Sequence, residues 1–300
     1  MSTENQGLQQ KNNAEVGVRI NKLSWVFFGT SDVSVSVLEY LKQTGLTPKL
    51  LITTPDKPQG RKLILTPPPV KTWGLKNSIK IIQPEKLDDN FISELKKENW
   101  DLFIVVAYGK IIPVEILNLP KHRSLNIHYS LLPHLRGAAP VEGAILGDLR
   151  ETGVSIILMD EKMDHGPIIA QEKVSVPNWP PTRTELMEKM NVVANKLLAD
   201  IIPKWVDGEI IPKEQNHTEA SYVKMIKKED ALIDMKGDGY LNFRKIMAYE
   251  KWPRAYFLED SKRVIINKAT WKDDKLEITK VTPEGKKEMD YKTYLNSKKK

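Results

Sequence analysis

Asn126 and His128 stand two residues apart at the end of the run Ser124 to His128, and Asp164 follows in Met163-Asp164-His165-Gly166-Pro167. Alternate side chains of a strand share a face, so the amide and the imidazole emerge together beside the loop that follows. Asp-His-Gly-Pro reads as a turn that presents its carboxylate. An asparagine amide can donate to the oxyanion that forms when a nucleophile adds to a carbonyl, and losing such a donor typically costs roughly 3 kcal/mol of barrier. The imidazole can polarise that carbonyl or handle a proton, and the carboxylate can orient the imidazole or a water and accept a proton from an attacking amine. This chemistry is acyl transfer with no serine or cysteine nucleophile. Taken singly, the three also suit a strand end, a satisfied core histidine and an ordinary turn, and spacing alone leaves both uses open.

The elements that must hold them alternate along the first two hundred residues. Ser24 to Phe28 reads as a strand running into Gly29-Thr30-Ser31-Asp32, and Val33, Val37, Leu38 and Leu41 then recur at helical spacing with Ser31 or Asp32 as cap. Leu50 to Thr53, Ile79 to Ile82 and Leu102 to Val106 read as further strands, with helices from Val70 and over Asp89 to Lys97. The stretch Pro55 to Pro69 is too punctuated for regular structure. The β-α-β-α-β order implies a parallel sheet. Leu125 to His128, Val154 to Leu158 and Ile168 to Val176 add strands, and Leu186, Met190, Val193, Leu197 and Ile201 mark the apolar face of a long closing helix. Short strands at Ala255 to Leu258, Val264 to Lys268 and Leu276 to Val281 suggest a small β-barrel, and Lys286 to Lys300 reads as a charged tail.

The expected organisation is a disordered extension over residues 1–22, an α/β domain over 23–206, a polar linker over 207–221 and a smaller barrel-like domain with a basic tail over 222–300. Cysteine is absent, which removes disulfides and thiolate metal sites and fits a reducing, cytoplasmic setting. His122, His128 and His134 are spaced by six, which matches no usual zinc motif, so no metal is expected. No apolar run reaches the length of a membrane span, and neither a G-x-G-x-x-G nor a G-x-x-x-x-G-K-[ST] loop is present to hold a nucleotide. Of 46 basic and 39 acidic residues, positions 221–300 hold 20 and 13, which accounts for the whole net charge of +7. A basic C-terminal part beside a neutral remainder suits a polyanionic partner, or a solubilising lysine-rich surface.

Taken whole, Ser124-Leu-Asn-Ile-His-Tyr-Ser-Leu-Leu-Pro133, Arg136-Gly-Ala-Ala-Pro140, Glu151-Thr-Gly-Val154 and Asp164-His-Gly-Pro-Ile-Ile169 resemble the folate-dependent formyltransferases. The version with Arg-Gly-Ala-Ala-Pro is similar to the methionyl-tRNA formyltransferases. The likeness extends through Ala107-Tyr-Gly-Lys-Ile-Ile-Pro113, the loop Thr54 to Lys62, Tyr222 to Asp234 and Trp252-Pro253, covering about residues 23–258.

The resemblance implies a Rossmann-like, mostly parallel α/β formyltransferase domain with a smaller C-terminal β-barrel of OB type. It implies transfer of the formyl group of 10-formyltetrahydrofolate to the α-amino group of initiator methionyl-tRNA, by a monomer with no metal and no membrane. Asn126, His128 and Asp164 match the family's catalytic trio. Tyr108, Gly109, Ser130, Leu131, Leu132, Pro133 and Asp160 fall where the family binds folate, and Arg61, Lys62 and Arg136 where it meets tRNA. Tyr129 and Glu142 depart from the common pattern, and the segment after Trp252 is shorter than the family's barrel. A nucleotide-amino-sugar formyltransferase or a formyl-folate hydrolase would use the same trio, and an RNA-binding protein of this fold would not need it.

Overall fold

In a computed structural model, which describes residues 23–60 and 63–298, fifteen strands run in chain order. They are β1 (Trp25–Gly29), β2 (Leu50–Ile52), β3 (Lys57–Gln59), β4 (Ile64–Thr66), β5 (Lys80–Ile82), β6 (Leu102–Val106), β7 (Ser124–His128) and β8 (Arg136–Gly137), then β9 (Thr152–Leu158), β10 (Ile168–Val174), β11 (Tyr222–Val223), β12 (Tyr256–Glu259), β13 (Lys262–Lys272), β14 (Lys275–Pro283) and β15 (Met289–Asp290). The residues gather into two compact units. One takes in the chain to His128 together with Val154–Glu172 and Asn191–Thr218, and the other takes Tyr129–Gly153, Lys173–Met190 and the chain from Glu219. Segments 129–153 and 173–190 thus pack with the C-terminal part, although they lie within the range read as the first domain. The expected N-terminal extension lies outside the described residues.

The first unit is built on a seven-stranded sheet in the order β10-β9-β7-β6-β1-β2-β5. β1, β2, β5, β6 and β7 are parallel, and β9 runs antiparallel to β7. All five residues of β1 and all five of β6 are buried, the unbroken apolar pattern of strands covered on both faces. Val26, Phe28, Phe103 and Val105 belong to one core with Trp100 and Ile116, and each such side chain contributes about 1.5–3 kcal/mol by burial. The chain leaves β1 toward β2 on one side and returns through β6 on the other. That reversal opens a crevice at the carboxyl ends of β1 and β6, where open α/β sheets hold their ligands.

Two helices show how local sequence sets these elements. The Asp88 side chain accepts from the Phe91 N–H at 3.1 Å and caps the helix Asp89–Leu95, a contact worth about 1 kcal/mol. In the long helix Arg183–Val206 the buried stripe is Leu186, Met190, Ala194, Leu198 and Ile201, whereas Val193 and Leu197 are half-buried. The i, i+4 row from Met190 selects Ala194 and Leu198, one residue on from the larger neighbours the pattern favoured.

The stretch expected to be irregular contains a hairpin, with Lys57–Gln59 paired to Ile64–Thr66. Its base is fastened by Lys71, whose Nζ lies 2.9 and 2.7 Å from the two Asp56 carboxylate oxygens, and by Gln83, which donates to Asp56 and to the Thr54 carbonyl. In the second unit β12, β13, β14 and β15 form a four-stranded antiparallel sheet over a core of Ile233, Phe243, Ile246, Phe257, Val264, Ile266 and Val281. The end expected as a charged tail instead supplies β15 and a helix, Tyr291–Asn296, whose Tyr294 is buried in that core. Among the described residues no helix is long and apolar enough to cross a membrane.

Candidate functional site

β7 ends at the crevice side of the sheet. Its register pairs Asn126 with Val105 of β6 and with Ile157 of β9, and His128 with Ser155 of β9, so the two polar side chains share one face at the strand's end. His128 is 5 % exposed and Asn126 half-buried. Asp164 sits on the turn between β9 and β10 with a left-handed backbone, φ +51°. Its Oδ1 lies 3.5 Å from His128 Nδ1, close enough for an ion pair and long for a hydrogen bond. Catalytic contacts are commonly long before substrate binds. The structure therefore brings imidazole and carboxylate together across about three dozen residues of chain, beside the asparagine.

The turn carrying Asp164 is tightly built. The Leu158 N–H donates to the Pro167 carbonyl at 2.9 Å, and a Cβ on Gly166 would sit 1.8 Å from the Leu158 carbonyl oxygen, so only glycine fits there. Asp160 accepts from the Lys162 N–H at 2.9 Å and its other oxygen lies 2.7 Å from His165 Nδ1. That carboxylate, expected at folate, is engaged with its own turn. Gln215, in the stretch read as linker, donates to the carbonyls of Asp164 at 2.9 Å and Gly166 at 2.7 Å, and His217 stacks on His165 with ring centres 4.0 Å apart. Nothing in a polar, aperiodic segment marks such a residue in advance.

Among the other candidates, Tyr108 lies in the segment Ala107 to Lys110, whose backbone is expected at folate. Its side chain is 2 % exposed and packs edge-on against Phe28, inside the core, and burial pushes its phenol up to about 12. Its backbone is tied to the segment after β1: the Tyr108 carbonyl accepts from Thr30 Oγ1 at 2.8 Å, and the Val106 carbonyl from Ser34 Oγ at 2.7 Å. The next residue, Gly109, has φ +80° and open space where a Cβ would stand. A flat ligand can thus approach the backbone there.

Ser130, Leu131, Leu132 and Pro133 belong to the second unit. Ser130 Oγ donates to the His134 carbonyl at 2.5 Å, the Pro133 carbonyl accepts from the Ser221 N–H at 3.3 Å, and Leu132 is buried. Arg136, expected at tRNA, is buried. Its side chain is 1 % exposed, donates to Tyr222 Oη at 3.2 Å and lies under that ring, while β8 and β11 pair alongside. A guanidinium so covered cannot grip a phosphate. Arg136→Ala is expected to cost on the order of 3 kcal/mol of stability and to leave the slope of tRNA affinity against salt unchanged. A slope lower by about one would mean that Arg136 does contact phosphate.

Glu142, the acid where a neutral residue is common, pairs with Arg183 Nε at 3.2 Å, which offsets its charge. Tyr129 is buried, and that burial raises its phenol above the usual range. Arg61 and Lys62 lie outside the described residues. Among the described residues no group of three or more His, Asp or Glu side chains has the arrangement to hold a metal ion.

Residues 22–202 match the formyl transferase family model. The methionyl-tRNA formyltransferase of Thermodesulfovibrio yellowstonii is 37 % identical over 296 residues, 91 % of this chain and 96 % of that protein. Among solved structures, the methionyl-tRNA formyltransferase of Clostridium thermocellum has a TM-score of 0.60 at 18 % identity, covering 87 % of this chain and 98 % of that one. An N-formyltransferase of Helicobacter canadensis, in complex with folinic acid and dTDP-3-aminofucose, has a TM-score of 0.63 at 19 % identity, covering 83 % and 89 %. At those identities the structures speak for the fold alone.

Proposed function

The chain belongs to the formyl transferase family, and from that premise we propose that it moves the formyl group of 10-formyltetrahydrofolate onto the α-amino group of initiator methionyl-tRNA. The observation that carries the choice of acceptor is the likeness to a methionyl-tRNA formyltransferase along 91 % of the chain, well past residue 202 where the family model ends. The sugar enzyme is similar in fold only. The +7 of positions 221–300 suits an RNA acceptor, as do the adjacent cations Arg61 and Lys62 in the sequence. The protein acts as a cytoplasmic monomer.

The residues divide the reaction as follows. The neutral methionyl amine attacks the formyl carbon, so a C–N bond forms and the carbonyl electrons move to oxygen. Asn126 donates to that oxygen, and His128 adds its imidazole N–H, stabilising charge that exists only as the tetrahedral centre forms. Asp164 accepts the proton that the amine must lose. The carbonyl then re-forms as the bond to folate N10 breaks, and the proton held at Asp164 goes to that nitrogen. Backbone around Gly109 approaches the folate. No metal enters this scheme.

Formyl transfer measured with charged initiator methionyl-tRNA, uncharged tRNA, an amino-sugar nucleotide and no acceptor tests the reading. Product with the charged tRNA alone is expected. Product with the sugar would move the protein to the amino-sugar enzymes, and folate turnover without an acceptor would make it a hydrolase.

A further inference from the structure

Asp164 holds a left-handed backbone conformation, which a non-glycine residue adopts only where its surroundings hold it, at a cost of about 1 kcal/mol or more. The direction of its carboxylate follows from that backbone. Two of the constraints come from a distant part of the chain. Ile168 and Lys213 exchange both backbone hydrogen bonds, at 2.8 Å each, as an antiparallel bridge. Counting along an antiparallel register from that bridge sets Gln215 opposite Gly166 and His217 opposite Asp164. Gln215 is 5 % exposed and its side-chain nitrogen donates to the carbonyls of Asp164 and Gly166, one on each side of His165. His165 itself is held by the Asp160 carboxylate and by the stacked ring of His217.

We infer that Gln215 is a positioning residue for the reaction: its amide fixes the Asp164–Gly166 turn, and through it the carboxylate beside His128. This rests on the proton-accepting role given to Asp164 above. An amide is the side chain the position requires. It offers two N–H donors to two carbonyl acceptors without bringing a charge beside the Asp164 carboxylate. A lysine there would add a cation that competes for the carboxylate, and a glutamate would set an acceptor against acceptors. The ordinary alternative is that Gln215 only satisfies two carbonyls and matters to folding alone.

The two uses separate in kinetics. Gln215→Met and Gln215→Glu, the second nearly isosteric in case the first fails to fold, are made in the full chain and again in the Asp164→Asn background. Steady-state rates are read with 10-formyltetrahydrofolate and methionyl-tRNA, beside thermal unfolding. A displacement of the carboxylate near 1 Å is expected to lower kcat about 100-fold, with both KM values little changed. In the Asp164→Asn background the same substitutions should cause no further loss, because their effect passes through the missing carboxylate. Wild-type kcat in a folded Gln215 variant, or the same loss in both backgrounds, overturns the inference while leaving Asp164 in its role. Full activity of Asp164→Asn itself would overturn that role, and the inference with it.

Discussion

Asp164→Asn is expected to lower kcat for formyl transfer by about 10³-fold, within the range for a lost general base, while KM for both substrates stays within a small factor. The substitution keeps size, and the Gln215 bonds that shape the turn run to the backbone carbonyls of Asp164 and Gly166. What disappears is the only group of the trio that can hold a proton taken from the amine without becoming a cation. The neighbouring imidazole, 3.5 Å away, also loses the negative charge facing it. The check is steady-state kinetics with each substrate varied in turn. A loss confined to KM would recast Asp164 as a binding residue.

Asn126→Ala should lower kcat by roughly 10²–10³, the usual consequence of removing one oxyanion donor. Asn126 lies in the middle of the ladder between β6 and β9, so its backbone stays fixed when the amide goes. The loss should fall on the chemical step, and binding of both substrates should hold, because the oxyanion is absent from the ground state. Asn126→Asp gives a sharper contrast. It places an acceptor where a donor is needed and should be slower still. If alanine at 126 left kcat intact, the oxyanion would have to be met by His128 alone.

Much of this site could be read before any coordinates. Asn126 and His128 were legible because strand alternation is a strict geometric rule, and Asp164 because Asp-His-Gly-Pro is turn chemistry. The clash that a Cβ at Gly166 would make with Leu158 is the physical reason that turn sequence exists. The burial of Tyr108 was not legible, since a phenol beside a glycine loop looks the same in sequence whether it faces ligand or core. The burial of Arg136 was hidden for a related reason: charge predicts exposure, and a guanidinium lying beneath an aromatic ring evades that rule.

Gln215 escaped because the contact depends on the Ile168–Lys213 bridge, a pairing across more than forty residues that no local pattern encodes. The hairpin at Lys57–Thr66 was hidden by prolines at its edge, which an exposed two-stranded element tolerates. The C-terminal end was read as a tail from its lysines, yet Tyr291 and Tyr294 among them supply the apolar face of a packed helix. In each case an isolated residue type was outvoted by contacts distant in sequence.

The most direct test of the central claim is single-turnover formyl transfer from saturating 10-formyltetrahydrofolate to initiator methionyl-tRNA, comparing the natural chain with Asn126→Ala and Asp164→Asn. The account predicts rapid transfer by the natural chain and a chemical step slowed by two to three orders of magnitude in either variant, with substrate affinities preserved. Transfer at the natural rate in both variants would contradict it and place the chemistry elsewhere in the molecule.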